Sequence, residues 1–254
     1  MNAASLGERP WQHAIRKIPR LSRAWAINSA MISSLIAENL ACVRGDKRLF
    51  ESLSFRVRAG QALAVEGANG AGKTSLLRLL AGFLSPVAGR VLVKTGTSES
   101  DDAEERGRLV GWLGHLDGLK PQLTVLEQLS FFARLYRSPL RPSLAREPAT
   151  GTSPASATRG GEAGLISVLE TVGLTRQADL PCRYLSAGQR RRLALARLVT
   201  SNRPLWLLDE PFAALDAAGQ GLVAQLMLRH CGSGGIIIAA THDPLGLGNE
   251  SLKL

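Results

Sequence analysis

Apolar residues gather in short unbroken runs at 62–65 and 205–208, and a third run of strand character covers 235–240. Runs that are short and continuous rather than alternating predict strands buried on both faces, as in a parallel sheet. Elsewhere the spacing is helical. Leu76, Leu79, Leu80 and Phe83 recur three and four apart, which predicts a helix with one apolar face starting near Gly72. Residues 124–136 and 165–172 predict two more helices. Leu193, Ala194 and 196–199 supply the apolar face of another, which Ser186 can N-cap. Short strand-like runs fill 35–93, whereas 115–199 is mostly helical. Strands and helices mixed in this way predict an α/β fold.

Two stretches stand apart. Residues 1–33 lack sustained periodicity and predict a basic extension, disordered or not translated, with Met31 as the expected start. Residues 138–164 are rich in Pro, Gly, Ser, Thr and Ala, with too few apolar side chains to offset the entropy of ordering, and predict a flexible insertion. The remainder, 34–254, reads as one domain without internal repeats.

Composition narrows the classes. With 254 residues and 45% hydrophobic content, the chain can bury a good core. It has no run of about 18 apolar residues, so a membrane function needs a membrane-embedded partner. Cys42, Cys182 and Cys231 lack C-x-x-C spacing, which argues against a zinc site or a disulfide framework. The net charge is +10, and Arg9, Arg16, Lys17, Arg20 and Arg23 against Glu8 supply +4 of it. Aromatics are only 5%, too few for a base-stacking platform, so no nucleic acid is expected; the basic surface suits an anionic membrane leaflet.

The chemistry begins after the first strand. Gly67, Ala68, Asn69, Gly70, Ala71, Gly72, Lys73 and Thr74 fit G-x-x-x-x-G-K-[ST], followed by Ser75, between a strand and a helix. Glycines let the backbone N–H groups turn inward as an anion nest, and the helix start adds the positive end of its dipole. Lys73 then holds the β- and γ-phosphates, and Thr74 offers its hydroxyl to Mg²⁺. The bland alternative is a glycine-rich surface turn; the flanking strand and helix argue against it.

The second strand ends in Asp209 and Glu210. Side chains at the carboxyl ends of parallel strands reach the crevice where open α/β sheets bind ligands. Adjacent residues point to opposite sides, so Asp209 can face Mg²⁺ while Glu210 acts as general base on the attacking water. Alone, such a dipeptide before Pro211 would be a solvated strand end. Together with Lys73 it reads as catalytic.

These segments resemble the ATP-binding cassette family. Its hallmark sequence is matched by Leu185-Ser186-Ala187-Gly188-Gln189, with Ala187 where glycine is commonest. The resemblance implies an α/β phosphate-loop NTPase with a RecA-like core, an antiparallel β subdomain and a helical subdomain at about 115–199. It also implies ATP and Mg²⁺ as ligands. Ser186, Gly188 and Gln189 would close over the γ-phosphate held by a second subunit, giving a head-to-tail homodimer with two shared sites. His242, after the third strand, resembles the family's switch histidine. Ala214-Leu215-Asp216 resembles the loop joining the two sites, placing Asp216 there.

Two positions depart from the family pattern. Where an aromatic ring usually stacks on adenine stands Arg44, so the adenine contact would come from its guanidinium plane or from another residue. Where glutamine usually reaches Mg²⁺ or its water stands His115. An imidazole accepts a hydrogen bond only while neutral, so hydrolysis is expected to weaken in acid, unless His115 is merely a loop residue.

Within the family, the segments 39–45 and 49–50, Asn69 with 72–80, and the segments 113–115 and 185–197 are similar to the ATPases of bacterial cytochrome c maturation, the haem exporter ATP-binding proteins. That resemblance implies a peripheral subunit on the cytoplasmic face of the inner membrane. Its partners would be an integral-membrane haem-exporter subunit and other cytochrome c maturation proteins. Haem delivery, or release of a haem-loaded chaperone, would be driven by ATP. The alternatives are the ATPase of another small exporter, for drugs or lipids, and a nucleic-acid-acting relative.

Overall fold

The computed structural model describes residues 32–137, 154–242, 245 and 250–254. The Met31 start, the basic side chains of the extension and residues 138–153 of the expected insertion lie outside them. The described residues fall into two compact units, one from those up to Leu116 together with those from Arg203 onward, the other from those between Asp117 and Asn202.

The first unit contains two sheets. Strands β1 (Ser34–Arg44), β2 (Lys47–Arg58), β4 (Ala88–Thr95) and β5 (Ser98–Ser100) form an antiparallel sheet in the order β2-β1-β4-β5. Strands β6 (Val110–Leu113), β7 (Leu205–Asp209), β8 (Ile236–Ala240), β3 (Ala62–Glu66) and β9 (Glu250–Lys253) form a parallel sheet in that order. All five residues of β7 and of β8 are buried, as the continuous apolar runs require. Helix α1 (Lys73–Leu80) follows β3, α2 (Ala103–Leu109) precedes β6, and α6 (Ala217–Gly232) lies between β7 and β8.

Leu76, Leu77, Leu79 and Leu80 of α1 have no exposed surface and join Leu63, Val65, Leu207 and Ile238 in one core. Burial of each such side chain contributes about 1.5–3 kcal/mol, so the helix carrying the phosphate loop is anchored along its whole length. Phe83, expected on that face, is not part of it. The helix stops at Leu80 because Gly82 takes φ +82°. Gly82 N–H donates to Leu79 O, and Phe83 N–H donates to Arg78 O, closing a Schellman turn. Phe83 is left 64% exposed, its ring edge-on to Trp112 at 5.3 Å.

The second unit is helical: α3 (Val125–Arg137), α4 (Pro154–Thr171) and α5 (Ala187–Thr200), with 3₁₀ turns at Thr175–Gln177 and Cys182–Tyr184. Thr124 and Glu127 cap α3 reciprocally, each side chain accepting from the other's backbone N–H. Helix α4 starts at Pro154, not near Leu165, so residues 154–164 of the expected flexible insertion are helical. Composition misled here. Proline is favoured in the first turn, and the alanines after it are good helix formers, so the same residue types serve loop and helix.

Candidate active site

The phosphate loop runs from the carboxyl end of β3 into α1. Gly72, the N-cap of α1, has φ +111°, and a Cβ there would lie 3.1 Å from Leu49 Cβ. Only glycine meets both conditions without strain. Lys73 is buried to 8% exposure, and its ammonium donates to Gly67 O at 2.6 Å and Ala68 O at 3.2 Å. The cation therefore folds back over the loop that precedes it.

Parallel register brings the other chemistry alongside. Glu210 N–H donates to Ala240 O at 2.9 Å, and Thr241 N–H donates to Val65 O at 3.1 Å, so the ends of β7, β8 and β3 meet. Thr74 Oγ1 donates to Asp209 Oδ2 at 3.0 Å, with Asp209 5% exposed. Glu210 has φ +48°, rare for a residue with a side chain, and its Oε1 lies 3.5 Å from His242 Nε2. The same imidazole nitrogen lies 3.4 Å from Lys73 Nζ.

A cleft of about 480 Å³ opens over this cluster. It is lined by Ala68, Asn69, Gly70, Gly72, Lys73, Thr74, Ser75, Asp209, Glu210 and His242, with Arg44 and His115 also on its wall. Gly67 and Ala71 complete the loop without lining the cleft. Leu49 lines it too, a residue that no local motif marks; the signal available was its place in β2, close behind Arg44. A hydroxyl and a carboxylate side by side are the hard oxygen donors Mg²⁺ prefers, so the residues present fit that ion.

The hallmark residues belong to the second unit. Ser186 caps α5 in a full capping box with Gln189, each side chain accepting from the other's backbone N–H, and Gly188 lies in the first turn. In the first unit, Asp216 N-caps α6, its Oδ1 accepting from Gly219 N–H at 2.8 Å, and it does not line the cleft. The loop before it holds Ala214 at φ +60°.

A glycine-rich turn at a helix start, a buried lysine, a hydroxyl–carboxylate pair and an acid beside a histidine together define a phosphate-loop nucleotide site on an α/β fold. The family model described as ABC transporter matches residues 50–213, and the chain belongs to that family. The cytochrome c biogenesis ATP-binding export protein CcmA of Rhodopseudomonas palustris (strain BisB5) is 44% identical over 220 residues, 87% of this chain and 97% of that protein. CcmA of Rhizobium meliloti (strain 1021) is 44% identical over 221 residues, with the same shares. Among solved structures, a putative ABC transporter ATP-binding protein from Pyrococcus furiosus shares the fold at TM-score 0.69 and 21% identity, covering 87% of this chain and 98% of that one. An inward-facing putative metal-chelate type ABC transporter aligns at TM-score 0.65 and 27% identity, covering 88% and 80%.

Proposed function

We propose that the chain is the ATP-hydrolysing subunit of the haem export system of c-type cytochrome maturation. Its hydrolysis drives haem delivery or the release of a haem-loaded chaperone. The observation that carries the enzymatic part is the meeting of Lys73, Thr74, Asp209, Glu210 and His242 in one cleft. The similarity to CcmA proteins along almost their whole length supports the cargo.

In this reading the N–H groups of 67–75 and the Lys73 ammonium hold the β- and γ-phosphates of ATP. The guanidinium of Arg44 supports the base. Thr74 and Asp209 would hold Mg²⁺, which supplies charge neutralisation at the phosphates when bound. Glu210 takes a proton from water as its oxygen bonds to the γ-phosphorus, and the bond from that phosphorus to the ADP oxygen breaks. His242 donates to the γ-phosphate, where negative charge shifts as that bond breaks, and His115 orients water. Ser186, Gly188 and Gln189 of a second copy close the site, with Asp216 near the junction. The pair then works beneath an integral-membrane subunit on the cytoplasmic face of the inner membrane.

The test is made in cells that assemble c-type cytochromes and have this gene replaced. Glu210→Gln should retain MgATP, co-purify with its membrane subunit and abolish haem-stained c-type cytochromes. Normal holocytochrome levels in a strain whose purified variant has lost hydrolysis would reject the assignment to cytochrome maturation.

A further inference from the structure

Within the first unit, Arg106 of α2 is only 6% exposed and does not line the cleft. Its hydrogen bonds to the described residues all go to backbone carbonyls. Nε donates to Leu80 O at 2.8 Å, and Nη1 donates to Val91 O at 3.1 Å and to Asp101 O at 3.2 Å. The acceptors lie at the end of α1, in β4 and just before α2. Burial pulls the Arg106 pKa below the ordinary arginine value, and the nearby carboxylates of Asp102 and Asp101 oppose that shift. The group stays a cation.

The carbonyls at the end of α1 show what this cation does. The N–H groups of Ala81, Gly82 and Phe83 donate to the oxygens of Leu77, Leu79 and Arg78 in turn. Among the described residues no backbone N–H reaches Leu80 O, and Arg106 supplies its donor. The guanidinium also faces the negative end of the α1 dipole. Helix α2 closes on the same turn, since a Cβ at Gly82 would lie 3.0 Å from Ala103 O. The buried leucines hold α1 in the core, but apolar contact is not directional and leaves the helix free to slide or roll. Directional bonds from a rigid fork remove that freedom. The helix is about 12 Å long, so a shift at Leu80 is carried to Gly72 and Lys73 at its other end.

We propose that Arg106 is a positioning residue for phosphate capture: by fixing the carboxyl end of α1 against β4 and α2, it sets where the amino end presents Lys73 and the loop N–H groups. The inference rests on the reading of 67–75 as the phosphate site. It separates two effects. Nucleotide capture, which needs the loop in place before ligand arrives, weakens when Arg106 is removed; the turnover of bound MgATP, which Glu210 governs, holds.

The experiment compares full-length Arg106→Met, Arg106→Lys and Val223→Ala with wild type by titration of a fluorescent ATP analogue, steady-state hydrolysis and thermal melting. Val223 is fully buried on α6, outside the core that α1 joins, so its truncation loosens the same unit by another route. Expected for Arg106→Met are a dissociation constant and a KM raised together, roughly ten-fold, with kcat at saturating MgATP within about two-fold of wild type. Arg106→Lys keeps the charge without the fork and should recover part of the affinity. Val223→Ala should melt early and bind as wild type. Wild-type affinity in Arg106→Met, an equal loss of affinity in Val223→Ala, or a kcat that falls while KM holds would each overturn the proposal. If Arg106→Met does not fold, Arg106→Lys decides alone: binding roughly three-fold weaker supports the proposal, and wild-type binding overturns it. Wild-type protein that binds the analogue but releases no phosphate from ATP would fail the ATPase assignment, while the affinity comparison would still decide the role of Arg106.

Discussion

Lys73 Nζ and His242 Nε2 lie 3.4 Å apart across 169 positions of sequence, and His242 Nε2 also lies 3.5 Å from Glu210 Oε1. One imidazole nitrogen thus stands between a cation and a carboxylate. An incoming γ-phosphate would replace a protein acceptor for Lys73 and give His242 an anion to address. Lys73→Ala is therefore expected to weaken MgATP binding itself. His242→Ala should leave binding near wild type and lower kcat by roughly 10²-fold, the usual loss for one stabilising donor. Equilibrium titration with a fluorescent nucleotide, set beside phosphate-release kinetics, separates the two outcomes.

Gly72 offers a test of the loop's shape. Alanine there would have to hold φ +111° with its Cβ 3.1 Å from Leu49 Cβ. The strain should lower unfolding stability by about 1–3 kcal/mol and displace the start of α1 enough to impair phosphate capture. Denaturant unfolding and nucleotide titration of Gly72→Ala check both effects, and wild-type values in both would remove the steric argument.

His230 gives the fold an acid-sensitive point away from the cleft. The ring is 2% exposed, stacks on Trp206 at 3.9 Å and donates through Nε2 to Pro204 O at 3.1 Å. Burial pushes its pKa down from 6.5 to about 4. Between those values the unfolded chain binds a proton that the folded one refuses, so this contribution is complete above pH 6.5 and is lost as pH falls toward 4. The loss amounts to roughly 3 kcal/mol. Unfolding free energies across that window should slope less steeply for His230→Phe than for wild type; parallel curves would show that His230 does not carry the dependence.

How much of this was legible in the sequence depends on whether the signal was local. The loop 67–74, the pair Asp209-Glu210 and the Ser186 cap are contiguous strings whose chemistry requires those residue types in that order, and they could be read directly. Strand β9 could not. Its four residues, Glu-Ser-Leu-Lys, contain a single apolar side chain, yet they pair with β3 beside the phosphate loop. Helical spacing carried the reading of α1 past Gly82 to Phe83, because periodicity does not register a residue that leaves the helix with φ above zero. The start of α4 was hidden for the opposite reason, since Ala, Ser and Thr are common to linkers and helices. The ties of Arg191 to Asp117 and Lys73 to His242 join positions far apart in sequence and emerge only in the fold.

The central claim is that hydrolysis occurs at a site shared head to tail between two copies, one supplying Lys73 and the other Ser186. Complementation tests it most directly. Lys73→Ala and Ser186→Arg should each be inactive alone, one for want of phosphate capture and the other for want of closure. In a mixed dimer one of the two sites combines both lesions, and the other combines an intact Lys73 with an intact Ser186. Phosphate release measured on an equimolar mixture should therefore recover a fraction of the wild-type rate that neither protein shows by itself. A mixture as silent as its components, or a Ser186→Arg protein that hydrolyses ATP at the wild-type rate unaided, would contradict the shared site.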